Sequence, residues 1–137
     1  MDGLNSFGHL NASYLAAGEE PGLRRLCLDF YEEMKTIPEA KHILSMHRED
    51  LAILTDKLCL FLCGWLGGPR KFQEKYGPIS IPMVHQHLVI NDSERDAWLL
   101  CMRRALEKQP YSQEFKDYLN RQFYIPAERI RQTSRFE

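Results

Sequence analysis

The sequence lacks several features that would point to common classes of protein. Its charges nearly cancel, with 18 lysines and arginines against 19 aspartates and glutamates, whereas a nucleic-acid-binding domain usually carries a basic excess. Its longest apolar run, Leu58 to Leu66, is interrupted by Gly64 and is far shorter than the roughly 20 residues that a bilayer span needs. The sequence therefore predicts neither a nucleic-acid partner nor insertion in a membrane.

The N-terminus and the cysteines give no sign of export. Residues 1–6 have neither the positive start nor the apolar block of a secretory signal. The four cysteines are scattered and do not form the framework of a disulfide-rich domain, so we expect a cytoplasmic protein. Its 137 residues, of which 44% are hydrophobic, are enough for one substantial core. We expect a single domain over 1–137, with an N-terminal extension at 1–12 and a C-terminal tail at 126–137.

Apolar residues recur with helical spacing along most of the chain. The predicted helical segments begin or end at prolines, glycines or capping residues: Pro21 to Ile37, Pro38 to Met46, Leu51 to Trp65, Asp92 to about Gln109, about Tyr111 to Ile125, and a short charged helix after Pro126. No stretch alternates over the length of a strand, since the segment from Pro78 to Pro82 has a proline at each end. The predicted fold class is therefore all-α.

Helical periodicity by itself does not identify a function. An all-α chain of this length fits a four-helix interaction bundle, a helical DNA-binding module or a cofactor-binding domain. His85 and His87 could suggest zinc, but no second pair of ligands accompanies them. The glycines at 64–68 lack the lysine of a phosphate-binding loop, and nothing resembles a hydrolase triad. The decision between these classes therefore rests on longer strings of residues.

Two strings are specific in combination: Gly-Trp-Leu-Gly-Gly-Pro at 64–69, and Glu-Arg-Asp-Ala-Trp-Leu followed by Cys-Met at 94–102. Further matching strings lie between and around them: Phe30-Tyr31, His47 to Leu51, Phe61-Leu62, Tyr76-Gly77 and His85. Over residues 13 to about 125, nearly the whole chain, their order resembles the truncated haemoglobins, specifically the second group of that family. The resemblance implies a shortened globin in which two pairs of helices sandwich a haem.

The same resemblance implies an iron ligand. It makes His85 the proximal ligand, because His85 lies eight residues after Gly77 and thirteen before Trp98, as the family's spacing requires. His87 is the competing candidate, but it would need a compensating insertion and deletion. The irregular, glycine-bearing stretch from Gly67 to Pro82 would deliver this imidazole. We expect haem b held without covalent links, since no Cys-x-x-Cys-His string occurs.

Further residues of the haem pocket are implied in the same way. Donors on the distal side, able to form hydrogen bonds with a bound diatomic ligand, would be Tyr31, His47 and Trp98. Apolar residues expected to be buried, whether in the core or against the porphyrin, are Leu54, Leu58 and Phe61, and Tyr76 also falls in the implied pocket. Where relatives commonly have an arginine before the proximal histidine, this chain has Val84. Arg70 or Lys71 would then have to hold the haem propionates.

The resemblance implies a protein that binds dioxygen or another diatomic ligand. Redox activity on peroxide or nitrogen oxides is a further implication, and it would need electrons from a separate reductase because no flavin or nicotinamide motif is present. Polar distal donors slow the release of oxygen, so they disfavour simple oxygen transport. The alternative is a cofactor-free globin-like sensor or interaction domain. Such a domain would have no reason to combine His85 with Tyr31 and Trp98.

Overall fold

The computed structural model describes residues 7–47, 49–78 and 90–134, and all regular elements in these ranges are helical. The helices, in chain order, are α1 (Ala12–Ala16), α2 (Glu19–Thr36), α3 (Lys41–Ser45), α4 (Leu51–Trp65), α5 (Lys71–Tyr76), α6 (Asp92–Glu107) and α7 (Gln113–Ser134). A 3-10 turn, Pro38–Ala40, joins α2 to α3. The predicted all-α fold class is confirmed.

Helix α2 lies at the centre of the molecule. It packs against both α4 and α6, and α6 in turn packs against α7. The apolar residues of α2 that recur at helical spacing are all buried: Leu23, Leu26, Cys27, Phe30, Tyr31 and Met34. Burial of one such apolar side chain contributes about 1.5–3 kcal/mol, so this helix organises the core.

The face of α4 that is buried in the core differs from the face that helical periodicity predicts. Its buried residues are Thr55, Cys59, Leu60, Leu62 and Cys63. Helical periodicity predicts a different inner face, in which only Leu62 is in fact buried. The other residues of that predicted face are half-buried: Leu51, Leu54, Leu58, Phe61 and Trp65. Leu54, Leu58 and Phe61 pack on the edge of the core, and their expected burial, in the core or against a porphyrin, stays a prediction. The buried side of α4 combines Thr55, Cys59 and Cys63 with Leu60 and Leu62, and its half-buried apolar side chains form a second face.

Helix α7 continues through Pro126, so the prediction of a separate short helix after this proline was wrong. A proline inside a helix removes a backbone hydrogen bond and costs about 3 kcal/mol. Ion pairs to α6 hold the far end in place: Arg95 contacts Glu128 at 2.7 Å, and Arg131 contacts Asp92 at 3.4 Å. These ties between helices favour one continuous helix over a bend at the proline.

The stretch from Gly67 to Pro82 contains a helix that the sequence pattern did not indicate. Helix α5 occupies Lys71–Tyr76 and buries none of its residues, so it leaves no apolar periodicity to detect. Residues 79–89 lie outside the described ranges. Within the described part of the chain, no helix is both long and apolar enough to cross a bilayer.

The glycines that follow α4 make room for the N-terminal helix. A Cβ atom at Gly67, where φ is +92°, would lie 2.0 Å from the carbonyl oxygen of Leu10. A Cβ atom at Gly68 would lie 2.5 Å from the ring of Tyr14. The backbone N–H of Tyr14 also donates to the carbonyl of Leu66 at 3.2 Å. Glycine is therefore required for close approach at both positions.

Replacement of Gly68 by alanine tests this packing. In Gly68→Ala the new methyl group must displace the Tyr14 ring, and overpacking of this kind costs about 1–3 kcal/mol, measured by urea unfolding. Gly64→Ala is the matched control, because its Cβ would have its nearest neighbours at 3.5 Å and alanine is the better helix former. Equal losses of stability in the two variants would contradict this account.

Candidate functional site

A connected series of rings runs from α4 to the corner after α3, and we call it the aromatic arc. Its members, in spatial order, are Phe61, Trp65, Phe123, Trp98, Phe30, Tyr31 and His47. Successive ring centroids lie 4.9 to 6.4 Å apart, within the range in which aromatic rings attract one another. The arc joins four helices and the corner, and it brings Tyr31, His47 and Trp98 into one connected set.

Two hydrogen-bond donors on the arc have no partner in the described part of the chain. Tyr31 is only 8% exposed, and its hydroxyl bonds to no described residue. The indole N–H of the half-buried Trp98 likewise has no such partner. Burial, with a smaller effect of Cys27, raises the pKa of Tyr31 well above its usual value, so the phenol keeps its proton at neutral pH. Both groups are therefore available to donate to a bound molecule.

His47 stands edge-on to Tyr31, with ring centroids 6.0 Å apart. Its Nδ1 atom lies 2.8 Å from the carbonyl oxygen of Ile43, and since a carbonyl only accepts, Nδ1 must carry the hydrogen. In a neutral imidazole the other nitrogen, Nε2, then holds a lone pair and cannot donate. The predicted role of His47 as a donor is thus restricted to its charged form. Neutral His47 presents an acceptor beside Tyr31.

The second apolar face of α4 shares Phe61 with the arc. Leu54, Leu58 and Phe61 pack on the edge of the core and remain partly exposed. The fully buried residues of α4, such as Cys59 and Cys63, lie elsewhere on the helix. Because removal of apolar surface from water is favourable, a flat apolar molecule laid on this face would gain stability by covering the part that is still exposed.

The two cations expected to hold propionates differ in their surroundings. Arg70 is exposed and has no ion pair with a described residue. Lys71 is engaged, since its Nζ atom lies 2.5 Å from a carboxylate oxygen of Glu20, and hydrogen bonding to this carboxylate raises its pKa. A propionate would have to compete with Glu20 for Lys71, whereas Arg70 is available.

Tyr76 does not offer a free hydroxyl. Its O–H donates to Oδ2 of Asp56 at 2.7 Å, on a side of α4 that carries charged residues. His85 and the competing His87 lie outside the described residues, so the predicted proximal ligand stays a prediction. The described residues contain no group of three or more histidines, cysteines and carboxylates able to hold a metal ion.

Sequence reasoning missed the part that Phe30 and Phe123 play in the site. Phe123 is buried between the two tryptophans, 5.0 Å from Trp65 and 5.8 Å from Trp98. Phe30 connects Trp98 to Tyr31, at 5.0 and 4.9 Å. Helical periodicity placed both phenylalanines on inner faces, but contacts between different helices leave no signal in the spacing along one helix.

Comparisons with known proteins agree with this architecture. Residues 12–129 match the family model of the bacterial-like globins. Over 109 residues, or 80% of each chain, the sequence is 34% identical to the group 2 truncated hemoglobin YjbI of Bacillus subtilis (strain 168). The structure of the cold-adapted truncated hemoglobin from the Antarctic marine bacterium Pseudoalteromonas haloplanktis TAC125 aligns with a TM-score of 0.81 and 30% identity, covering 86% of this chain and 95% of that one. That of the truncated oxygen-avid haemoglobin from Bacillus subtilis aligns with a TM-score of 0.76 and 30% identity, covering 86% and 97%.

The tautomer of His47 can be measured in the apoprotein. At pH 8, where imidazole side chains are neutral, we expect hydrogen on Nδ1 alone, because Ile43 offers only an acceptor. Two-bond proton–nitrogen correlation spectra report this as a pyridine-type Nε2 shift, assigned by its loss in His47→Gln. His9 is the control, since its exposed ring bonds to no described residue and should favour the other tautomer. Protonation of His47 at Nε2 would overturn the assignment.

Proposed function

We propose that this chain, which belongs to the bacterial-like globins and within them to the group II truncated haemoglobins, binds one haem b against the second apolar face of α4. Haem binding in general follows from membership of the family; the site, the ligand set and the function are our proposal. The observation that carries it is the partly exposed face formed by Leu54, Leu58 and Phe61, which adjoins an arc with two donors that bond to no described residue.

The residues present fit a porphyrin. Leu54, Leu58 and Phe61 offer an apolar surface for a flat macrocycle, and Arg70 is an exposed cation that forms no ion pair with a described residue and could pair with a propionate. We propose His85 as the proximal ligand, through the lone pair of a neutral imidazole nitrogen. No covalent link is expected, because the chain has no Cys-x-x-Cys-His string. A bound haem would supply an iron able to bind a diatomic ligand.

Tyr31 and Trp98 would retain that ligand. Each donates one hydrogen bond, worth about 1 kcal/mol net and more in a site that excludes water. The His47 ring, fixed by its bond to Ile43, packs edge-on against Tyr31 and so helps to hold the phenol ring in place. Two donors at one ligand favour slow release.

Slow release favours dioxygen retention or chemistry over transport. The related Bacillus subtilis haemoglobin is oxygen-avid, and we extend that property to this chain on the strength of its own Tyr31 and Trp98. Redox activity on peroxide or nitrogen oxides is compatible with the same donors and would need electrons from a separate reductase. A cofactor-free sensor or interaction domain is disfavoured, because it would leave both the apolar face and the two donors without a use.

The rate of oxygen dissociation tests this proposal. Loss of one hydrogen bond of about 1 kcal/mol or slightly more should speed release roughly fivefold to tenfold in Tyr31→Phe and in Trp98→Phe, measured by stopped-flow spectroscopy. Tyr111→Phe is the matched control, because the hydroxyl of the half-buried Tyr111 donates to the carbonyl of Ala17 at 2.8 Å, away from the arc. If both donor variants release oxygen at the wild-type rate, the proposed distal site is wrong.

A further inference from the structure

Helix α5 owes its position to polar contacts. None of its residues is buried, and within the described chain its main helical neighbour is α4. At its beginning Lys71 pairs with Glu20. At its end Lys75 and Tyr76 both bond to one carboxylate, that of Asp56 on α4. A helix without a buried face depends on such contacts for its placement.

Asp56 connects three helices. Its Oδ2 atom accepts from Lys75 at 2.8 Å and from the Tyr76 hydroxyl at 2.7 Å, while its Oδ1 atom lies 3.1 Å from Arg24 of α2. Hydrogen bonds from Lys75 and Tyr76 lower the pKa of Asp56 to about 2, so the carboxylate is charged at neutral pH. Its side chain is 19% exposed, less than those of both Lys75 and Arg24. Charge-assisted bonds at a largely covered carboxylate are stronger than ordinary surface pairs.

The anchored end of α5 is the start of the segment that carries the proposed iron ligand. Gly77 follows Tyr76 directly and has φ of +87°, and a Cβ atom placed on it would meet no atom of a described residue within 4 Å. The chain therefore turns at a glycine that no described side chain packs against, eight residues before His85. The contacts that hold Tyr76 in place therefore also determine where the following segment begins.

We propose that Asp56 is a positioning residue for the proximal side of the haem site, because it holds Lys75 and Tyr76 and thereby sets the origin of the segment that delivers His85. The inference rests on the proposed haem function. It assigns Asp56 no contact with the haem: its effect is transmitted through α5.

Asp56→Asn tests the proposal, because the neutral amide keeps the size of the side chain and loses its charge. We expect haem transfer to an excess of apomyoglobin to become about tenfold faster than in the wild type, equivalent to about 1.4 kcal/mol. Glu33→Gln is the matched control: Glu33 of α2 also ties two separate parts of the chain, pairing at 2.5 Å with Lys108, the residue that follows α6, and its side chain is 13% exposed. This control should lose haem at the wild-type rate.

Two further readouts separate positioning from general stability. The iron–histidine stretching band in the resonance Raman spectrum of the ferrous protein should shift in Asp56→Asn and stay in place in Glu33→Gln. In the apoprotein, thermolysin should cut between residues 77 and 90 faster in Asp56→Asn than in the control. Tyr76→Phe, which removes a single hydrogen bond, should speed haem transfer about twofold to fourfold and provides a second variant should Asp56→Asn fail to fold.

The outcomes distinguish this inference from the function on which it rests. A wild-type protein that takes up no hemin would overturn the proposed function. A wild-type protein that binds hemin, with variants at Asp56 and Tyr76 that match it in haem transfer and Raman band, would overturn the positioning role alone. Equal acceleration in Asp56→Asn and Glu33→Gln would also overturn it, since the effect would then reflect stability in general.

Discussion

Helix α4 carries apolar residues on two faces, and the helices that surround it cover only one of them fully. The face of Thr55, Cys59, Leu62 and Cys63 is buried, and the face of Leu54, Leu58 and Phe61 stays partly exposed. Phe61 also belongs to the aromatic arc, where Tyr31 and Trp98 hold polar hydrogens that no described residue accepts. The haem of a group II truncated haemoglobin would satisfy both the apolar face and the donors.

Polar and charged contacts hold the parts of the chain that precede and follow residues 79–89, the segment that contains His85. On one side Asp56 ties the end of α5 to α4 and α2. On the other side α6 begins with a capping box between Asn91 and Glu94, and its first turn is tied to the end of α7 through Arg95 and Glu128. The apolar core determines how α2, α4 and α6 pack together. These polar contacts hold the two parts of the chain between which His85, the proposed iron ligand, lies in the sequence. The ion pairs of Arg95 with Glu128 and of Arg131 with Asp92 also hold the part of α7 that follows Pro126.

Much of the fold was predictable because it depends on local spacing. The buried residues of α2 and the capping box at Asn91 both follow from patterns within one turn or one helix. The face of α4 was not predictable, because Leu58 and Cys59 are both apolar and the choice between them depends on a neighbouring helix and on a cofactor. Helix α5 has no apolar period to detect, and the continuation past Pro126 depends on partners in α6. For the site, the resemblance grouped Tyr31, His47 and Trp98, which the arc brings together, but the tautomer of His47 depends on where the carbonyl of Ile43 lies.

The decisive experiment is titration of the purified apoprotein with hemin, followed by absorption spectra of the ferrous form, for the wild type, His85→Ala and His87→Ala. We predict saturable uptake of one equivalent by the wild type, with the spectrum of a histidine-ligated five-coordinate haem. We predict that this spectrum is lost in His85→Ala and retained in His87→Ala. A wild-type protein that stays colourless, or a spectrum that depends on His87 and not on His85, would contradict the account.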